Sequence, residues 1–138
     1  MCRFFLWHMQ EEKKAFEIPV YLRKFENLHI VFWLIKDMSW SMGWTVLGII
    51  MIAPTLLLSI YMTYKFRGNQ SEWFHNNAVI CWIIANSYWM ISEFYGFEEH
   101  FIFGSIKYVH LALLPFVGGL LLIGYYYFVK RKKVSSIN

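Results

Sequence analysis

The sequence predicts an all-α, polytopic membrane protein built as a four-transmembrane-helix bundle. Three observations predict it. Four apolar stretches, Leu28–Trp44, Val46–Tyr64, Ala78–Phe94 and Tyr108–Phe128, are each close to the ~20 residues a helix needs to cross about 30 Å of hydrocarbon. Charged residues form only 16% of a 138-residue chain that is 58% hydrophobic, too few to cover a water-soluble domain. The basic charge is also segregated. Eleven of the thirteen Lys and Arg residues (Arg3, Lys13, Lys14, Arg23, Lys24, Lys65, Arg67, Lys130, Arg131, Lys132, Lys133) fall on one side of a four-span arrangement. By the positive-inside rule that side is the cytoplasm, so both termini are cytoplasmic in a multi-pass protein of the cell membrane. A three-span arrangement would split the two basic ends across the bilayer.

The chain divides into a cytoplasmic N-terminal segment (1–26), a transmembrane domain (27–129) and a basic cytoplasmic tail (130–138). The first segment mixes charges with aromatic residues, and Pro19 interrupts any continuous helix there. Phe16, Val20, Tyr21 and Phe25, with Arg23 and Lys24, suit either a short interfacial helix or a tail anchored by a few rings. Met1–Met9 is too short for a cleavable signal peptide, and charge follows it at once.

The first span reaches a tight turn at Gly43. The second carries no charge. The third is linked to the fourth by Tyr95–Lys107, with Glu98, Glu99 and His100 on the outer side. Spans one and three are short and polar, and are stable in a bilayer only when shielded by spans two and four. Trp44, Tyr64, Trp73, Tyr95 and Tyr125–Tyr127 lie where an interfacial aromatic belt belongs. Pro54 and Pro115 sit within spans two and four. That pairing is consistent with two parallel two-helix repeats, 29–66 and 78–128, related by an axis along the membrane normal. Ser59, Thr63, Gly119 and Gly124 are small residues that allow close helix approach. Cys2 and Cys81 fall too far apart to pair, and no zinc-ligand spacing is present.

One motif occurs twice. Trp33, Asp37 and Trp40 read W-x3-D-x2-W; Trp82, Asn86 and Trp89 read W-x3-N-x2-W, 49 residues later. Positions i, i+4, i+7 and i+11 share one stripe of an α-helix. Trp33, Asp37, Trp40 and Trp44 form one such stripe; Trp82, Asn86, Trp89 and Glu93 form the other. Facing stripes stack an imidazole layer (His29, His75), a tryptophan layer, an Asp/Asn layer and a second tryptophan layer, with Glu93 at the outer mouth. Lys36 lies off the stripe, within reach of Asp37 or the next helix.

An ionisable pair inside a span is costly unless paired or hydrated, which points to a polar mid-membrane site of the carrier-like or ligand-sensing kind. In that reading Trp33, Lys36, Asp37, Trp40, Trp82, Asn86, Trp89 and Glu93 bind the ligand. Asp37 is the charged ligand or proton carrier, Asn86 its hydrogen-bonding partner, and the indoles walls for a cation or flat molecule. The plainer reading is interhelical glue, since Asn, Ser and indole N–H groups commonly bond across membrane helices. Two further functions stay in view: an accessory or assembly subunit of a larger membrane complex, and a membrane enzyme using Asp37, His29 or Glu93 on a lipid. No G-x-S-x-G, H-E-x-x-H, P-loop or C-x-x-C motif supports an enzyme. Haem between His29 and His75 lacks a small-residue cradle, so no cofactor is expected. The expected partners are the lipid bilayer and either further copies of the chain or a larger complex. Nucleic acid is excluded because the positive charge flanks apolar segments.

Overall fold

A computed structural model describes residues 20–130, which are mostly helical, with four α-helices. They are α1 (Val20–Ser41), α2 (Thr45–Lys65), α3 (Gln70–Phe94) and α4 (Leu113–Tyr125). A two-stranded antiparallel hairpin, β1 (Phe101–Phe103) and β2 (Ile106–Lys107), stands between α3 and α4. The helices alternate in direction and pack in chain order, α1 on α2, α2 on α3 and α3 on α4. We call the end where α1 and α3 begin the base and the opposite end the crown.

Local chemistry explains the helix limits. α1 is described from Val20, so from there onward the stretch suited to an interfacial helix forms turns of α1. The rest of that stretch, with Cys2, and the tail from 131 lie outside the described residues. α3 starts at Gln70, ahead of its apolar run, because the Asn69 side chain accepts a hydrogen bond from the Ser71 N–H (3.1 Å) and Glu72 occupies the first turn. At the crown, α1 and α3 finish in the same way. Gly43 (φ 69°) and Gly96 (φ 70°) adopt the left-handed conformation. The N–H groups of the residues that follow reach back to Ser39 and Ser92 (2.8 and 3.1 Å). A glycine there avoids the Cβ clash that any other residue would meet.

The expected fourth span is not one uninterrupted α-helix. Tyr108–Ala112 is 3-10, Leu113–Tyr125 is α and Tyr126–Lys130 is π. Pro115 therefore lies in the first turn of α4 rather than in mid-helix, the place where its missing N–H leaves no bond unmade. The hairpin is an addition to an otherwise all-α reading. Gly104 (φ 55°) turns it, Lys107 pairs with Glu99, and the Tyr88 hydroxyl donates to the Tyr108 carbonyl (3.1 Å), tying its end to α3.

Two helical stretches, Thr45–Lys65 and Tyr108–Lys130, are long and apolar enough to cross a membrane. The distribution of side chains is inverted relative to a water-soluble core. Leu57, Leu114, Leu120 and Phe128 are exposed, whereas Lys36, Ser39, Thr55, Ser59, Ser87 and Ser92 are buried. Most of the buried hydroxyls bond to their own helix: Ser39 to the Ile35 carbonyl (2.7 Å), Thr55 to Met51 (2.6 Å) and Ser92 to Trp89 (2.7 Å). Small polar groups satisfied in this way let helices approach without stranding donors.

α4 approaches α3 closely at Gly119. A Cβ there would lie 3.2 Å from the Ala78 carbonyl oxygen and 3.3 Å from the Cys81 Cβ, whereas one at Gly124 meets nothing within 4 Å. Of the two, only Gly119 serves close packing. Gly119→Leu is expected to destabilise the purified protein by about 1–3 kcal/mol through overpacking. Gly124→Leu is expected to leave the thermal melting curve near wild type; equal curves for both variants would show that α4 does not sit on Ala78.

At the crown, the Lys107 hydrogen bond and positive charge hold the Glu99 carboxyl below its usual 4.5. A depressed folded value means the contact stabilises the hairpin above pH 4.5 and is lost as pH falls through the folded value. Amide chemical shifts of Phe101–Ile106 should therefore hold steady from neutral to mildly acidic pH and move below it. Lys107→Gln should abolish that acid-limb movement.

Candidate functional site

The two tryptophan stripes meet. α1 and α3 run in the same direction, and residues separated by 49 positions face each other across the seam. Nearest the base, the Trp33 and Trp82 rings pack edge to face, 4.3 Å between centroids at 86°. One turn further, Asn86 Nδ2 donates to Asp37 Oδ1 at 3.4 Å, and Lys36 Nζ donates to the same oxygen at 2.6 Å. Beyond that, Trp40 and Trp89 stand 6.3 Å apart at 58°. Their indole N–H groups both donate to Glu93, Trp40 to Oε2 at 2.6 Å and Trp89 to Oε1 at 2.7 Å. Glu93 is thus not a separate outer layer. It clips the two upper tryptophans together, one indole on each carboxylate oxygen.

The ion pair is asymmetric. Lys36 has 0% side-chain exposure, whereas Asp37 retains 31%. The ammonium is sealed inside the helices and its carboxylate partner stays accessible. The pair is coupled sideways as well, since Asn86 brings α3 to the shared oxygen.

One member of the expected stripe drops out. Trp44 is 54% exposed, because α1 ends at Ser41 and the Gly43 turn carries Trp44 to the start of α2. The chain also holds a second stripe that the tryptophans obscure. His29, Phe32, Lys36 and Ser39 follow helical spacing, and of these His29, Lys36 and Ser39 are buried. The matching face of α2 presents Gly48, Thr55, Ser59 and Met62, all buried. The signal was available in the run of small residues at heptad spacing in α2. At Gly48 a Cβ would meet the Phe94 ring at 3.1 Å, so α2 also presses on α3.

His29 and His75 do share a layer at the base, where both line a cavity of about 250 Å³ with Glu26 and Glu72. Among the described residues no cluster of three or more His, Cys, Asp or Glu side chains is arranged to hold a metal ion. Compared with protein-family models, with curated proteins and with solved structures, the chain has no match.

The geometry makes a direct prediction about stability. Lys36→Met leaves the Asp37 carboxylate with only the long Asn86 bond. Because Asp37 is partly exposed, the cost should be about 1–3 kcal/mol, below the ~3–5 kcal/mol for a pair sealed on both sides. The double variant Lys36→Met/Asp37→Asn should recover most of that loss in thermal unfolding. If it melts no higher than Lys36→Met alone, the two side chains are not coupled.

Proposed function

We propose that this chain is a small multi-pass membrane protein with four spans and both termini in the cytoplasm. In this reading the α1–α3 seam is a polar mid-membrane site of the carrier-like or ligand-sensing kind. The observation that carries the site is the asymmetric pair, Lys36 fully buried against an Asp37 that keeps 31% of its side-chain surface. A pair serving only to hold helices together gains nothing from leaving its carboxylate open. A site that receives a cation or a proton needs that opening. The tryptophan pairs on either side then act as walls, and the Glu93 clip, on the crown side, sets the outer limit of the site.

The inverted burial pattern supports the membrane. Exposed Leu and Ile on α2 and Leu on α4 suit lipid, and an interior with buried polar groups suits helices associating without a hydrophobic drive between them. α1 and α3 carry the charges and lean on α2 and, for α3, on α4.

A second reading, an accessory subunit of a larger complex, draws on the position of α4. It packs chiefly on α3 and leaves Leu113, Leu114, Leu120 and Leu121 uncovered. Co-purification in mild detergent separates the two readings: a stoichiometric larger partner favours the subunit, the chain alone or as a homo-oligomer favours the site.

Two outcomes are expected. Reporter fusions after Lys133 and within 68–71 should report cytoplasm, and one at Glu98 the outside; a cytoplasmic signal at Glu98 would end the four-span reading. Asp37→Asn should melt below wild type, because it leaves the sealed Lys36 ammonium without its counter-ion, and should lose ligand-induced stabilisation or proton-coupled uptake. Lys36→Met/Asp37→Asn should recover the stability without the activity. Full activity in Lys36→Met/Asp37→Asn would leave the pair a purely structural feature.

A further inference from the structure

The base of the helices holds polar groups that the Asp37 site does not use. Two adjoining cavities, about 250 and 370 Å³, share Glu26, Glu72 and His75 in their walls. The smaller is also lined by His29 and Asn76. His29 is only 9% exposed, and its Nε2 is buried without a hydrogen-bond partner. The Asn76 Nδ2 is likewise buried and unpartnered. Neither Glu26 nor Glu72 has an ion pair or side-chain hydrogen bond among the described residues. Buried polar atoms left unpaired are expensive, and such a set in a cavity wall is complementary to something with matching groups.

The complement can be read off the walls. Two carboxylates call for a cation. They accept hydrogen bonds and donate none, so a cation with N–H groups fits better than one without. Asn76 Nδ2 is a donor, and it needs an acceptor that a bare ammonium or alkali ion does not supply. The Phe74 ring in the wall of the larger cavity already receives an ammonium, that of Lys130, at 5.1 Å from its centroid.

We propose that this vestibule binds a small primary ammonium compound carrying a neighbouring oxygen acceptor, of which the ethanolamine unit is the simplest case. The ammonium lies between Glu26 and Glu72, the oxygen accepts from Asn76, and His29 Nε2 takes up the remaining polar contact. The unit occurs both as a free amine and as a lipid headgroup. The proposal rests on the base cavities and not on the Asp37 reading; the Trp33–Trp82 layer stands between the two along α1 and α3.

The test is calorimetric titration of the purified full chain in detergent with ethanolamine, choline and ethylamine. Ethanolamine should bind saturably. Choline, which has no N–H, and ethylamine, which has no oxygen, should each bind at least ~10-fold more weakly, the difference made by one lost good polar contact. Glu72→Gln and Glu26→Gln should each weaken ethanolamine binding by a similar factor. Equal affinity for the three amines, or no saturable binding of ethanolamine, overturns the proposal without need of a variant. Loss of binding in Asp37→Asn with retention in Glu72→Gln overturns it too, by moving the ligand to the other site. Repeating the titration in phosphatidylcholine nanodiscs with and without phosphatidylethanolamine identifies the source. Competition by the added lipid assigns the headgroup, and undiminished binding assigns the free amine.

Discussion

The structure is organised around a single oxygen atom. Asp37 Oδ1 accepts from Lys36 on its own helix and from Asn86 on α3. Lys36 is the largest fully buried side chain among the described residues, so its charge must be met where it lies. An adjacent carboxylate meets it most directly, and that carboxylate faces α3. The burial of Lys36 therefore fixes the rotation of α1, and with it the stripe of Trp33, Asp37 and Trp40 that α3 must match.

Around this pair the usual arrangement of a folded domain is turned over. The interior of α1, α2 and α3 holds several Ser and Thr, most of whose hydroxyls bond back to their own helices, beside a few apolar side chains such as Ile83 and Met90, while many of the large aliphatic side chains are exposed. Close approach is then governed by which residues are small. Gly48 lies under the Phe94 ring and Gly119 lies on the Ala78 backbone, and these two contacts seat α2 and α4 on opposite ends of α3. α3 is thus the element that every neighbour uses, with α2 and α4 fitted by small residues and α1 held off by tryptophans.

Much of the seam was legible in the sequence, because tryptophans at i and i+7 flanking a polar residue at i+4 leave few ways to place a helix face. The meeting of Trp33 with Trp82 and of Trp40 with Trp89 agrees with the 49-residue offset between two helices that run the same way. The small-residue stripe on α2 was harder to see, since its heptad spacing of Gly48, Thr55 and Met62 lies inside a long apolar run that masks it. Trp44 was misplaced because a period cannot show where a helix stops; the Gly43 turn decides that. The broken geometry of the last helix and the short hairpin before it depend on Pro115 and Gly104 acting on the backbone, which hydropathy does not report. Glu93 was placed on its stripe, but its role as a clip depends on side-chain reach rather than on spacing.

The matched layers have a mechanical meaning. Three contacts between α1 and α3 meet at the same step along both helices, two of them ring to ring and one acid to amide. Sliding α1 by one turn, about 5.4 Å, would set the Trp33 ring against the Asn86 amide and the Asp37 carboxylate against the Trp89 ring. Intermediate displacements would drive rings into each other. Piston-like travel is thereby locked out, and the seam can yield only by hinging open from one end or by rolling about its long axis. The Glu93 clip, one indole from each helix on one carboxylate, opposes separation of α1 and α3 at the crown.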